Sequence, residues 1–422
     1  MKKPASFILQ SLPFVLFAFE AAANFSNYNS ILIGDQAAGM GGAATAMIED
    51  ASGMAWYNPA GLAKLEGQSF SAAVGIYKKF DIRYREESDL TKASFRVNQG
   101  FFRALPSSTG SVIRPHQLEW LEGWTMALSI LVPEYESFKG DIATEGQSAS
   151  TLTLTTESIW VGGAAARRLN DRDSFGFTVY YTARSVSKTV NDRTIISTVQ
   201  SQIFTEERNL TQNALVGLVS WHRDIDDHWK VGVSYRFPSL HIAGKAEVYQ
   251  TFIDNGAIQN PISESSLDTR ARIPWKATVG VAYVTPGTSR WAADVSTYGP
   301  LSYGDLERED LSEKIEHRPV WNVSLGYEKE WREWFKTRVG FFSNFSSHPD
   351  PDPSLVRGQG DHVDQAGFSA NAAFRSGNIE YTFGGYYTGG RGRSVQRINQ
   401  AYEVVTKAQN VFTMLVGTSY SY

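Results

Sequence analysis

The chain contains no cysteine, so neither a disulfide framework nor a thiolate metal site can organise it. It has seven histidines in 422 residues, and none forms a His-x-x-x-His pair or stands with carboxylates at zinc-ligand spacing. A strong excess of one charge is also missing. The formal net charge of -4 gives no basic face for nucleic acid. No Gly-x-Ser-x-Gly turn is present, and no nucleophile, base and orienting group stand out. The reading is therefore of a protein that is not an enzyme and carries no metal or cofactor. Beyond the first two dozen residues there is no apolar run of the ~20 residues that a spanning helix needs. Mean hydropathy is negative, at -0.28. That excludes a helical membrane protein but leaves a barrel open, because alternating strands average out in a hydropathy window.

At the N-terminus, Lys2 and Lys3 precede an apolar stretch from Phe7 to Phe19, and Ala21-Ala22-Ala23 fits the small-x-small rule for signal-peptidase cleavage. The expected organisation is a signal peptide over 1–23, a plug segment over 24–66 and a barrel over 67–422.

From about Ser69 onward, apolar and polar residues alternate in segment after segment. Trp275, Ala277, Val279, Val281 and Tyr283 share one face, with Lys276, Thr278, Gly280 and Ala282 on the other. Trp229, Val231, Val233, Tyr235 and Phe237 oppose Lys230, Gly232, Ser234 and Arg236. Trp321, Val323, Leu325 and Tyr327 repeat the arrangement. The apolar faces begin or end in aromatic residues, as they would where a lipid-facing band meets headgroups. About fourteen strands emerge by period-2 reading, starting near Ser69, Ser94, Gly123, Thr151, Ser174, Asn213, His228, Ile273, Arg290, Pro319, Phe335, Ala366, Asn378 and Gln409. Their connections alternate between tight turns (Asn170–Asp173, Arg223–Asp227, Thr285–Ser289, Glu330–Trp334, Ser376–Gly377) and long polar loops around 136–150, 189–210, 251–270, 301–318, 346–365 and 391–408. This rhythm predicts an all-β transmembrane antiparallel barrel with its long loops outside. A secreted β-sandwich or propeller is the alternative, but a soluble sheet has no need of the rhythm. The last strand ends in Tyr420 and Tyr422. An aromatic C-terminus of this kind resembles the signal read by the outer-membrane barrel assembly machinery, a predicted partner.

Residues 24–66 do not alternate. They are rich in Gly and Ala, with a short helix expected at Ala43–Glu49. Small residues allow close backbone approach, and fourteen strands leave a lumen wide enough for a plug, since about eight already fill with side chains. Within this segment Gly34-Asp35, Ala38-Gly39-Met40-Gly41-Gly42-Ala43, Thr45-Ala46, Glu49-Asp50-Ala51-Ser52 and Tyr57-Asn58-Pro59-Ala60-Gly61-Leu62 resemble the FadL family of outer-membrane channels for long-chain fatty acids and aromatic hydrocarbons. Phe101 to Ile113 with Pro106, Val132-Pro133, and the Pro349–Pro353 loop also look like family features.

The resemblance implies a plugged barrel in the bacterial outer membrane. It would take a fatty acid or hydrocarbon near its outer loops, pass it to an interior apolar pocket and release it sideways into membrane lipid. Burying CH₂ groups at ~0.8 kcal/mol each supplies the affinity. A plugged barrel serving assembly, secretion or surface binding without transport is the alternative. The expected plug residues are Gly34, Asp35, Gly39, Met40, Gly41, Gly42, Asp50, Asn58, Pro59 and Ala60, with Asn58-Pro59-Ala60 seating the plug beside the exit. Asp35, Glu49 and Asp50 are candidates to pair with interior arginines such as Arg184 or Arg236. Apolar residues of the long loops, Phe138, Ile142, Phe204, Phe252, Ile253, Ile258 and Ile262, are the candidate ligand contacts. His348 and His362, in one acidic loop, read as solvated charge.

Overall fold

The computed structural model describes residues 26–48, 51–65, 67–86, 96–114, 121–144, 148–197, 200–352, 354, 360–398 and 401–421. The signal-peptide expectation, with Glu49 and Asp50, lies outside them.

Among the described residues eighteen strands follow three short helical turns. In chain order these are α1 (Asp35–Gly39), α2 (Ala51–Tyr57) and a 3-10 turn (Pro59–Lys64), then β1 (Ser69–Glu86), β2 (Arg96–Ile113), β3 (Trp124–Thr144), β4 (Ser148–Arg168), β5 (Asp173–Ser197), β6 (Gln200–Asp224), β7 (Trp229–Arg236), β8 (Leu240–Asp254), β9 (Ala257–Asp268), β10 (Lys276–Thr285), β11 (Ser289–Tyr298), β12 (Leu301–Gly304), β13 (Lys314–His317), β14 (Val320–Arg332), β15 (Phe335–Asn344), β16 (His362–Ser376), β17 (Ile379–Ile398) and β18 (Ala401–Ser421). All but β8, β9, β12 and β13 close a fourteen-stranded antiparallel ring, with β18 returning to β1 so that Ser69 faces Ser421.

The wall is inverted relative to a soluble protein. Phe175, Phe177, Val179 and Tyr181 point outward and are exposed, while Ser174, Thr178 and Thr182 on the same strand are buried inside. Trp229, Trp291, Trp331 and Trp334 are each about half exposed near the tight-turn rim, forming an aromatic belt. The apolar exterior and closed ring make this a membrane-spanning barrel.

Two features differ from the sequence expectations, for one physical reason. Most of 189–210 and 391–408 is strand rather than loop, because β5, β6, β17 and β18 continue past the lipid-facing band. Once both faces of a strand meet water or a polar lumen, the apolar alternation that marks it disappears. Two hairpins were also unforeseen. Pro238 interrupts the wall strand between β7 and β8, both of which pair with β6, and β8–β9 then rises as a hairpin over 240–268. The β12–β13 hairpin folds inward, burying Leu306 and Leu311 against Leu210, Ala246 and Val248.

The plug occupies the lumen. Its first residues are tied to the long-loop end, where Asn27 Nδ2 donates to the carbonyls of Asn344 (2.6 Å) and Val363 (2.9 Å). Its last residues sit at the tight-turn end, where Lys64 meets Asp224 at 2.9 Å and Arg168 donates to the Ala63 carbonyl. Glycines of the wall permit this fit. A methyl group at Gly232 would overlap the Thr45 carbonyl, and one at Gly340 would overlap the backbone of Met40 and Gly41. The helix expected at Ala43–Glu49 is absent from the described part, Ala43–Ile48, which forms turns and a bend. The helices are α1 and α2 on either side. Gly41 and Gly42 adopt φ of 68° and 81°, a backbone region that ends α1 and resists helix.

Candidate ligand cavity and its plug

The plug motif forms contacts throughout its length. Gly34 precedes α1 with φ 76°, and Asn371 donates to the Asp35 carbonyl at 2.8 Å. Gly39 packs against Asn371, and Met40 lies against Gly326 of the wall. Asp294 of β11 accepts from the Ala44 amide (3.0 Å), the Thr45 amide (2.9 Å) and the Thr45 hydroxyl (2.7 Å). Asn58 is fully buried. Its Nδ2 donates to the Thr45 carbonyl at 2.5 Å, and its Oδ1 accepts from the Ala60 amide at 3.1 Å. That amide also donates to Ser220 Oγ, and Ser174 Oγ donates to the Ala60 carbonyl. Asn58, Pro59 and Ala60 therefore lie against the inner faces of β5 and β6.

The expected pairing of Glu49 and Asp50 with interior arginines lies outside the described residues. Arg184 pairs with Glu134 of the wall, and Arg236 has no carboxylate partner among the described residues. The arginine nearest in charge to Asp35 is Arg338, already bound by Glu328 (2.6 Å) and Glu380 (2.8 Å). Short reach explains this, since an aspartate near the β15–β18 wall cannot cross the lumen to β5 or β7.

Above the plug lies a cavity of ≈ 1200 Å³, part of it open to solvent. Leu32, Trp56 and Tyr57 of the plug form its floor. Trp160 stands edge-on to Trp56 (5.2 Å between ring centroids) and to Tyr180 (5.7 Å). Tyr28 stacks on Tyr298 at 4.2 Å. Tyr303 and His317 of the inward hairpin contribute the roof. Burial lowers the His317 imidazole to about 3, so the roof is uncharged at neutral pH.

Into this aromatic space project two cations. Arg236 of β7 and Lys276 of β10 are direct cross-strand partners on the lumen face. Like charges placed so are mutually destabilising, and neither has a carboxylate within ion-pair distance among the described residues. The nearby Asp294 is occupied by the plug. Among the described residues Arg236 reaches only the Pro274 carbonyl, at 3.3 Å, and its Nε is buried without a partner. Its guanidinium lies 5.8 Å from the Trp160 ring and 5.9 Å from that of Tyr298.

The wall itself is incomplete beside the cavity. β2 and β3 pair only from Ser108–Ile113 to Met126–Leu131. Above that, among the described residues, no ladder joins them. The β3–β4 register also shifts between Leu131 and Glu134, at Val132-Pro133. Pro133 and Glu134 line the cavity just past this break. The plug end seated by Asn58 lies under β5 and β6, some strands away from the break, and α2 packs under β2 and β3.

No family model matches the chain, and no curated protein matches it in sequence. Solved structures do. A Pseudomonas aeruginosa FadL homologue superposes with a TM-score of 0.69 over 94% of this chain and 99% of its own, at 13% identity. The toluene transporter TodX of P. putida gives 0.62 over 94% and 99%, at 12% identity. The monoaromatic hydrocarbon channel CymD gives 0.56 over 94% and 99%, at 14% identity. The chain has the FadL fold.

Within the FadL fold, the five apolar loop candidates whose side chains are described do not line the cavity. Phe204 is buried on the inner face of β6, Phe252 and Ile253 are half-buried on β8, Ile262 packs beside the inward hairpin, and Ile258 is exposed at the hairpin tip. Phe138 and Ile142 lie on β3, but their side chains are outside the described residues. Position in a long loop was a poor guide, because those segments are strands and hairpins of the rim. The better signal was charge on an inward face, where Arg236 and Lys276 already stood opposite lipid-facing aromatics. His348 is not solvated charge as expected: it is buried and meets the Glu316 carbonyl, while the half-buried His362 meets the carbonyl of His348. Among the described residues no group of His, Asp and Glu could hold a metal ion.

Proposed function

We propose that this protein is a bacterial outer-membrane uptake channel for hydrophobic molecules that carry an anionic head, of the long-chain fatty acid class. It would release them sideways into the membrane through the break between β2 and β3. The observation that carries the head-group assignment is the cross-strand pair Arg236 and Lys276, two cations in an aromatic cavity with no carboxylate within ion-pair distance among the described residues. A carboxylate between them would remove their mutual repulsion and give Arg236 a charged acceptor, while the aromatic walls and Ile31 bury the alkyl chain. The plug beneath the cavity and the unpaired stretch of wall beside it support a sideways route. A cavity lined by the barrel wall and the plug favours transport over a role in assembly or surface binding, which calls only for loops.

The test is uptake and binding of a labelled fatty acid, its methyl ester and toluene, in cells lacking their own transporters and with purified protein. The acid should bind more tightly than the ester. A hydrogen bond to a charged group contributes about 1.5–3 kcal/mol, so Arg236→Gln should weaken acid binding by roughly ten- to a hundred-fold and leave the ester unchanged. Equal binding of acid and ester, with toluene taken up, would instead indicate a neutral hydrocarbon channel. A folded, surface-exposed protein that transports none of them would favour the non-transport alternative.

A further inference from the structure

The cavity is electrically lopsided. Arg236 and Lys276 stand on its β7–β10 side with no carboxylate within ion-pair distance among the described residues. Two strands away, on β5, Arg184 is fully engaged by the wall. Its Nε donates to both carboxylate oxygens of Glu134 at 3.0 and 3.2 Å, its Nη2 lies 3.0 Å from Glu134 Oε1, and its Nη1 donates to Gln212 at 3.1 Å. Glu134 directly follows Pro133, where the β3 register shifts and the ladder to β2 has already ended. Both partners of this pair are largely buried, with side-chain exposures of 17% and 11%, so the pair is screened little by solvent.

A satisfied ion pair offers an incoming anion almost nothing, whereas a bare arginine at the same place would be a second head-group site. We propose that Glu134 is a positioning residue that neutralises Arg184, so that the wall break holds no site for a carboxylate. An anionic amphiphile then lies with its head at Arg236 and Lys276 and its tail toward Pro133, and leaves tail first. This deepens the proposed function and rests on its head-group assignment. Tail-first exit moves apolar surface from aromatic wall to acyl chains without passing through water, and the head parts from its cations last. Head-first exit would carry a charged carboxylate into hydrocarbon while the tail still lay in the cavity, which is far costlier.

The experiment uses hexadecanoic acid carrying a photoactivated diazirine either at the terminal methyl end or beside the carboxylate, bound to the intact purified protein. Cross-links are mapped by mass spectrometry. The terminal label should mark the β3 peptide containing Pro133, and the head-proximal label the β10–β11 peptides. The reverse pattern would overturn the proposal. In Glu134→Gln the freed Arg184 should hold the acid several-fold longer and draw part of the head-proximal label onto β3 or β5, with the methyl ester unaffected. Unchanged retention and labelling in a folded variant would also overturn the role of Glu134. If the unaltered protein does not distinguish acid from ester, the head-group assignment fails and the orientation falls with it. If it does distinguish them but the labels are reversed, only the orientation fails.

Discussion

Asn58 uses both ends of one amide, holding the Thr45 carbonyl with its nitrogen and the Ala60 amide with its oxygen. Proline at the next position has fixed φ and no N–H to satisfy, so the chain turns there without leaving a donor unpaired. Replacing Asn58 with alanine would strand the Thr45 carbonyl in a buried setting. At about 1–3 kcal/mol for an unsatisfied buried group, the balance between seated and loosened plug should shift by about one to two powers of ten. The expected readout is a higher and noisier ion conductance in planar bilayers, with barrel melting unchanged. Because the cavity lies above this contact, fatty-acid affinity should change little. A conductance trace matching the unaltered protein would show that Asn58 does not hold the plug. The motif around Asn58 was legible in the sequence because its residue types are fixed by backbone geometry. The ligand side was not, because a cavity wall is drawn from many strands and its members share no local pattern.

Among the elements, the inward hairpin β12–β13 is the least foreseeable in the sequence, since 301–318 reads as a polar loop. Its position depends on a buried contact nearly a hundred residues away. Arg208 of β6 binds Asp305 at 2.6 Å and the Leu311 carbonyl at 2.9 Å, and Lys188 of β5 reaches Glu313 at 3.2 Å. Removing one member of a buried pair costs about 3–5 kcal/mol, because the other is left charged and unpaired. Asp305→Ala should therefore free the hairpin, and proteolysis between Gly304 and Glu313 should accelerate by roughly two to three powers of ten. Replacing both partners with apolar residues (Asp305→Leu with Arg208→Met) should restore most of the protection. If the single variant is as resistant as the parent, the hairpin is held by Leu306 and Leu311 alone. The strands themselves were legible wherever they cross the apolar band. The expected start near Asn213 marks only the part of β6 that faces lipid, while its first thirteen residues, from Gln200, stand above that band and read as loop.

For the whole molecule, the alternation of tight turns and long connections fixes which rim is which. The absence of native cysteine makes this directly measurable. Single cysteines at Asp171 and Asp227 should resist an impermeant reagent on intact cells, and one at Ile258, exposed at the tip of the β8–β9 hairpin, should react. The opposite pattern would invert the barrel.

The plug also carries a consequence for the order in which the chain can assemble. Asn27 is bonded to the Val363 carbonyl across 336 residues of sequence, and Ser69 closes against Ser421. Contacts of such separation form late, because the entropy of closing so long a loop precedes any reward. The segment made first must therefore wait, unprotected, until the final third of the chain exists. Its composition suits that wait. From Gly34 to Ala46 it is built largely of Gly and Ala, with no aromatic or β-branched residue except Thr45. It lacks the strand-forming, sticky side chains that would let it pair with a neighbouring unfinished molecule.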